Sequence, residues 1–514
     1  MEEGNRVERP SALDWLVRWR RPLLFVVVLF AALRFVHLKA DFPLHSQFAW
    51  EDAPMVDEGW YSSSATNAWL GRGWILPGDF NPGVAMPVWP AMVWVGFHAG
   101  GFGIVTLRVM SVLVFLVVVA LTYRVAVVYE GERIGLFAVL FLMTSPYCFG
   151  FSRLAFLEFP MIMFLLAAAL AIGRRDRQNW ARYVLAGILI GLSLLTKTLV
   201  VFLFPGMLYL IVERSGFQLK TVVKNLVLVF AGAMVVLLPY YGLYVIHHRV
   251  AFDYLFAANT EAGPTGARQL FIRFTRWFLA RYSRPFRKGL STDNLFFATA
   301  VLSAMGAFVL PGLRGLWRRP LFVFSQLWIF GSLLMMGLHN NAVPRYYEAT
   351  LPGLFLVGAM LLEALEEHWP RVGRVFVALV LIEAVANTAE TLYFVARPTY
   401  TLLEAAEGVK ALVESDPGVI ISHNAFELTL FTGLPGINED YGEEPIRQRV
   451  AHYRARWWVR QGYWDDGSLM TNGVGDEYRF VEAGQFQVFN HRPGYIVYRM
   501  VPARDATVGV AAER

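Results

Sequence analysis

The chain is 514 residues long, 56% hydrophobic and only 17% charged, with a formal net charge of +6 and a mean hydropathy of +0.44. Soluble domains average about 45–50% apolar and about 25% charged residues, so this composition excludes a disordered chain and argues against an ordinary cytosolic enzyme. The single cysteine, Cys148, excludes a disulfide framework and a cysteine-rich metal site.

A spanning helix needs about 20 mostly apolar residues. Runs of that kind lie in chain order near 22–39, 104–127, 134–151, 158–173, 183–197, 198–212, 225–246, 292–311, 321–338, 349–366 and 374–393. Residues 1–21 are basic at Arg18, Arg20 and Arg21, and no small-x-small cleavage site closes the run after them. The segment therefore reads as a cytoplasmic N-terminus leading into a retained anchor. The stretch 84–98 is apolar but carries Pro87 and Pro90, which predicts an interfacial or re-entrant segment. The two short runs around Lys197 form either a hairpin of helices or one long broken helix.

Basic residues in the short loops set orientation. Arg124 and Arg133, Arg214 with Lys220, Arg318 with Arg319, and Arg371 with Arg374 all fall on one side if there are about eleven spans. That side is the cytoplasm. The opposite side then receives residues 40–103, residues 247–291, and everything after 394. The outer loop 247–291 is itself basic, with Arg249, Arg268, Arg273, Arg276 and Lys288 among its cations. Its bland reading is an amphipathic helix on anionic headgroups, and its sharper one is phosphate binding. No nucleic-acid partner is implied, because the basic residues are short clusters between apolar runs. Segment 394–514 turns polar; alternation in GVIISH and GYIVYRM predicts strands, while 402–415 and 444–461 read as helices. Trp457-Trp458 and Tyr463-Trp464 there either stack on sugar rings or fill a core. The expected fold is thus an α-helical polytopic membrane protein, its membrane domain over 22–393, with a small C-terminal extracytoplasmic α/β domain.

Glycine-rich phosphate loops, HExxH and paired cysteines are missing, so nucleotide-driven chemistry and a zinc-protease site have no support. What remains is charge at the outer mouths of helices. Asp57-Glu58 opens a short amphipathic helix among Trp60, Tyr61 and Trp69. The pair is either an N-terminal cap or a base and metal ligand at the bilayer boundary. Glu158 starts a spanning helix, with Arg153 five residues earlier, and the two form a structural pair or serve a site. Lys197, between two apolar runs, either snorkels or meets a lipid phosphate. In HNNAVPRYYEATLP, a turn by its Pro344 and Asn340-Asn341, Arg345 beside Tyr346 offers a fork that matches phosphate oxygens. Acids and cations on one outer face suit a substrate with a phosphate headgroup, a lipid tail and a centre needing a base.

The order of these landmarks resembles the C-type (GT-C) membrane glycosyltransferases, in the branch of protein O-mannosyltransferases and aminoarabinose transferases of the ArnT type. The resemblance rests on VDEGWY after the first helix, on Gly103 and Arg108 in GFGIVTLRVMSVL, and on SRLAFLEFP. It continues in LLTKT with Lys197 and Pro205, and in PRYYEATLP, covering about residues 22–360. It implies a GT-C fold and a polyprenyl-phosphate sugar donor, whose hexose or pentose passes to a hydroxyl on a lipid, glycan or protein. Asp57 would be the base of an inverting displacement, Glu58 its orienting neighbour, and Glu158 a second acid. Lys197, Arg345, Arg153 and Tyr346 would meet the donor phosphate. The setting implied is a plasma (inner) membrane with the site on its extracytoplasmic face. LTKTL departs from the family in lacking the glycine after its lysine. No metal site is assigned, although some members bind a divalent ion, for which His339 and His247-His248 are the candidate ligands. Two other classes compete: a lipid or glycan transporter (flippase), and a non-catalytic scaffold whose C-terminal domain binds a partner. No matching broken helices in two halves favour the transporter.

Overall fold

The structure, a computed structural model, describes residues 12–42, 57–173, 179–260, 294–338, 344–462, 469–489 and 491–503. The cations from Arg268 to Lys288, His339, Asn340-Asn341 and Tyr463-Trp464 lie outside them.

The membrane domain is a helical bundle. Its first helix, α1 (Arg20–Arg34), is followed by α2 (Asp57–Trp69) and α3 (Val88–Gly100). The apolar stretch with two prolines is thus a short helix, and both prolines lie at or before its first turn, where a missing N–H costs nothing. Gly101 at φ 83° ends α3, and Gly103 at φ 128° turns the chain into the long α4 (Ile104–Tyr129). Backbone of that kind is open to glycine and strained for other residues.

The run 134–151 is not one helix. It breaks after α5 (Glu132–Thr144) at Ser145-Pro146, where Ser145 is extended (ψ 121°) and its side chain accepts from the Cys148 N–H. A residue before proline is pushed out of the helical region. Then come α6 (Glu158–Gly173) and α7 (Trp180–Thr196), which ends as Lys197 adopts an extended conformation. A 3-10 turn leads to α8 (Phe204–Arg214), so 183–212 is two helices separated by a break at Lys197. Next is α9 (Leu219–Pro239), packed closely on α7: a Cβ at Gly187 would lie 2.0 Å from the Val229 carbonyl oxygen, and one at Gly232 2.1 Å from that of Val184. Small residues let the two backbones meet. Beyond Pro239 the helix continues with little interruption to Ala257, so the outer segment starting at 247 begins helical rather than as loop. The bundle closes with α10 (Asn294–Val309), α11 (Pro320–Leu338), α12 (Leu351–His368) and α13 (Pro370–Ala396).

The expected count of about eleven spans is not confirmed among the described residues. Among the described residues four helices are long and apolar enough to cross a membrane, or five if one bent pair counts as a single span. Glu158–Gly173, Trp180–Thr196 and Pro320–Met335 are apolar but shorter. At about 1.5 Å per residue such helices fall short of a hydrocarbon core of about 30 Å.

The C-terminal domain holds α14 (Thr401–Ser415), β1 (Val419–Ser422), α15 (Ala425–Thr432), β2 (Gly436–Asn438), α16 (Ile446–Tyr453), β3 (Ala455–Gln461), β4 (Tyr478–Val488) and β5 (His491–Pro502). The sheet order is β2-β1-β3-β5-β4, parallel at β2-β1-β3 and antiparallel at β3-β5-β4. The helix expected over 444–461 stops at Arg454, whose φ of 51° ends it, and the rest is strand β3. Trp457 and Trp458 are core residues: their Nε1 groups donate to the Asp416 carbonyl (2.8 Å) and to Glu439 (2.9 Å). Sugar stacking by this pair is thereby ruled out.

Buried carboxylates join the two domains. Asp41, after α1, accepts from the Thr401 N–H (2.8 Å) and hydroxyl (2.8 Å) and from the Leu402 N–H (3.1 Å), at the start of α14. Asp79 pairs with Arg449 at 2.8 Å and accepts from the Asn438 N–H. Burial raises the Asp79 carboxyl to about 6 although Arg449 opposes the shift. A raised acid means that the folded state binds its proton more tightly, so this site's contribution to stability falls as pH rises from about 4 through about 6. Thermal unfolding of Asp79→Asn should lose that part of the pH slope, with Arg449 still bonded to the carbonyls of Asn438, Tyr441 and Glu444.

Candidate active site

Four segments that are distant in sequence bring their charged residues to one buried place. Asp57 and Glu58 occupy the first turn of α2, and Glu158 the first turn of α6. A helix N-terminus favours negative charge, which suits all three acids. Lys197 stands at the break after α7, and Arg345 in the 3-10 turn Pro344–Thr350 before α12. Asp57, Glu158, Lys197 and Arg345 are all buried.

They form an alternating chain of charge. Asp57 Oδ2 lies 2.9 Å from Arg345 Nη1, Arg345 Nε lies 3.9 Å from Glu158 Oε1, and Glu158 Oε1 lies 2.5 Å from Lys197 Nζ. Two acids and two bases make the set neutral, and low-dielectric surroundings require such compensation. The Tyr346 ring lies 4.7 Å from Lys197 Nζ and 5.1 Å from the Arg345 guanidinium, with the Tyr61 ring 5.7 Å from the same ammonium. Burial, and then Asp57, push the Tyr61 hydroxyl well above its ordinary range, so it stays a neutral donor. On the bundle side, Glu158, Lys197 and Tyr346 border a crevice with apolar walls from Met161, Phe202, Leu203 and Met335. It has about 10 Å³ of space, room for about one water.

Glu58 belongs to a separate cluster one residue away. It is 0% exposed and accepts three contacts from Arg108, the closest at 2.5 Å from Nη2, and one from the Ala155 N–H at 2.9 Å. Arg108, 3% exposed, spends Nη1 on the carbonyls of Leu38 (2.8 Å) and Ala40 (2.7 Å). The cluster thus ties α2, α4, the end of the α1 segment and the turn before α6. Glu58 is committed to Arg108 and is not available as a base.

Arg153 stands apart from Lys197 and Arg345. Its Nη2 donates to the carbonyls of Val36 (2.8 Å) and His37 (2.5 Å), and its guanidinium lies over Phe149. It neither pairs with Glu158 nor joins the charge chain; it binds the carbonyl end of the first helix, where a cation is favoured. Arg34, which attracted no attention as sequence, is its neighbour: 0% exposed, it donates to Ser152 Oγ and to the carbonyls of Phe30 and Met143. Glu427 was also missed. It comes from the C-terminal domain, and its Oε2 accepts from the Gly59 N–H at 2.6 Å. An arginine or acid inside an apolar run is the signal that sequence offers for such residues, and Glu427 within AFELTLF carries it.

Among the described residues no group of three or more His, Cys, Asp or Glu side chains is placed to hold a metal ion. His247 Nδ1 meets the Leu243 carbonyl instead, at 2.5 Å.

This architecture, a broken-helix bundle with the first outer segment locked under a C-terminal domain, is the fold of the C-type membrane glycosyltransferases. The chain is similar along 96% of its length to ArnT from Cupriavidus metallidurans solved with undecaprenyl phosphate, covering 99% of that chain at 14% identity and a TM-score of 0.61. It is also similar to the archaeal oligosaccharyltransferase AglB from Archaeoglobus fulgidus solved with an inhibitory peptide and a dolichol-phosphate, at 14% identity and TM-score 0.51, over 87% of this chain and 70% of that one. The arabinofuranosyltransferase AftD from Mycobacteria matches at 12% identity and TM-score 0.51, over 93% of this chain and 40% of that one. Residues 82–241 match the family model described as dolichyl-phosphate-mannose-protein mannosyltransferase. No curated protein sequence matches the chain. The resemblance read from the sequence is borne out at the level of the GT-C fold of the ArnT and mannosyltransferase type.

Removing one partner of a buried pair strands the other charge. Arg108→Ala should therefore destabilise the protein by about 3–5 kcal/mol, read as a lower unfolding midpoint in the same detergent, whereas the exposed Arg249, paired at 3.2 Å with Asp253, should be neutral on substitution.

Proposed function

We propose that this protein is an integral-membrane glycosyltransferase that moves a sugar from a polyprenyl-phosphate donor to an acceptor hydroxyl, on the extracytoplasmic face of the membrane. The observation that carries the reading is the charge chain Asp57–Arg345–Glu158–Lys197: one carboxylate for the acceptor proton, and two cations for a leaving phosphate. The fold shared with ArnT, and the undecaprenyl phosphate named for that structure, support the class of donor. The acceptor belongs to the lipid, glycan or protein hydroxyls as a class.

The reaction is a direct displacement. The acceptor O–H gives its proton to Asp57, and its oxygen bonds the anomeric carbon. The bond from that carbon to the phosphate oxygen breaks, and the electron pair leaves with the polyprenyl phosphate, inverting the centre. Lys197 and Arg345 stabilise the charge gathering on the leaving oxygen. In the ligand-free arrangement Arg345 is held by Asp57 at 2.9 Å. A donor phosphate competes for the same guanidinium and draws it off the carboxylate. Seating the donor and releasing the base are then one event. Glu158 holds Lys197 in place beside Tyr346 as this exchange occurs.

The test is turnover of a panel of polyprenyl-phosphate hexoses and pentoses, followed as release of polyprenyl phosphate and transfer to added acceptors. Asp57→Asn should lower turnover by about 10²–10⁴-fold, with donor binding retained. Lys197→Met should lower it by about 10²–10³-fold and weaken donor binding as well. Equal turnover by wild type and Asp57→Asn would remove Asp57 as the base, and no turnover of any donor would turn attention to lipid transport.

A further inference from the structure

The helix that carries Asp57 has one early amide bonded to the other domain. The first N–H groups of a helix have no intrahelical acceptor and need one from outside. In α2 the Gly59 N–H finds it in Glu427 Oε2, at 2.6 Å, 368 positions away in sequence and in another domain. Both groups are buried, and α15, which bears Glu427, packs directly on α2. The approach is as close as backbones allow: a Cβ on residue 59 would sit 2.2 Å from the Glu427 nitrogen and 2.5 Å from the Phe426 carbonyl carbon. Only glycine fits. The groups facing Glu427 are Glu58, Asp57 and Arg108 from the membrane domain and Tyr495 from β5. Burial and Glu58 push its carboxyl well above the ordinary range, against the pull of Arg108.

We propose that Glu427 is a positioning residue for the reaction: from the C-terminal domain it caps the first turn of α2 and thereby fixes Asp57 against Arg345. This rests on Asp57 being the base. Asp57 and Glu58 precede the capped amide in the same turn, so their side chains point where the cap sets that turn. Arg108 fixes Glu58 from the membrane side and Glu427 fixes Gly59 from the opposite side, leaving Asp57 the one acid of the turn directed at Arg345. The C-terminal domain accordingly sets the geometry of the base as well as covering the outer face.

Full-length Glu427→Ala, Glu427→Gln and wild type in nanodiscs decide the matter by two readouts. Hydrogen exchange of the amides at the start of α2 reports the cap whether or not the chain transfers sugar. Glu427→Ala should raise that exchange about ten-fold, and Glu427→Gln, which keeps an acceptor oxygen, should leave it near wild type. With the polyprenyl-phosphate sugar that wild type consumes, Glu427→Ala should lower kcat about 10- to 100-fold with donor KM unchanged, and Gln should restore it. A general loss of folded enzyme would instead lower the active fraction without separating Ala from Gln. Unchanged exchange in Glu427→Ala, or raised exchange with kcat intact, overturns the proposal. If Ala fails to fold, Glu427→Asp, one methylene shorter, withdraws the carboxylate and is read the same way. Wild type that consumes no donor refutes the glycosyltransferase reading, and with it the catalytic part of this proposal, while exchange still decides the cap.

Discussion

The buried pair of Glu58 and Arg108 is the constraint on which the site end of the molecule hangs. Arg108 sits one turn into α4, a helix whose direction is set by Gly101 and Gly103. Its fork reaches Glu58 on one side and the carbonyls of Leu38 and Ala40 on the other, and Glu58 reaches on to the Ala155 amide. Four stretches of chain that apolar burial alone would let slide are registered by one guanidinium and one carboxylate. Taking two charges out of water costs several kcal/mol each, recovered only when geometry and remaining hydrogen bonds are good. Here nearly every donor and acceptor is used. The pair is best understood as a specifier of register, since an apolar replacement of equal volume would supply packing but no direction.

A second principle is reciprocity at the domain boundary. The membrane domain lends Asp41 to the amides that open α14, and the C-terminal domain lends Glu427 to an amide that opens α2. Each domain thus completes a helix end of the other. Each carboxylate supplies from the other domain the acceptor that an ordinary Ser or Asp cap supplies locally. Asp79 with Arg449 adds a third buried link between the same parts. Three such links, each directional, fix the register between the two domains, which burial of apolar surface alone does not specify.

Much of this was legible in the sequence, and the reasons for the rest are physical. The acids of α2 and α6, the break at Lys197 and the turn at Arg345 were readable because charge or proline inside apolar sequence is rare. The partnership of Glu158 was not, because Arg153 is nearer along the chain while Lys197 is nearer in space. Helix lengths inside the apolar runs were less legible: composition reports apolar length, but a break such as Ser145-Pro146 divides a run into shorter helices. In the C-terminal domain, 444–461 was read through as helix because nothing in its residue types marks Arg454 as a left-handed stop. For residues such as Glu427 and Asp41 nothing local names the partner, which lies 368 and 360 positions away, respectively.

The neutrality of the charge chain bears on how the site is kept. With two acids and two bases in contact and space for about one water, the site without ligand is closed upon itself. On the proposed reaction, a donor phosphate adds negative charge to a balanced set and loosens one of the existing pairs. Arg345 is the member suited to this, because its contact with Glu158 is already long at 3.9 Å and its fork can trade one oxyanion for another. Lys197, at 2.5 Å from Glu158 and faced by Tyr346, has less freedom to move. The two cations are therefore unequal in their pairing: Lys197 is held closely by one carboxylate, while Arg345 is shared between two. Self-pairing also spares the bilayer interface an uncompensated cluster of cations when no donor is bound, the state in which an unpaired arginine or lysine would be most costly.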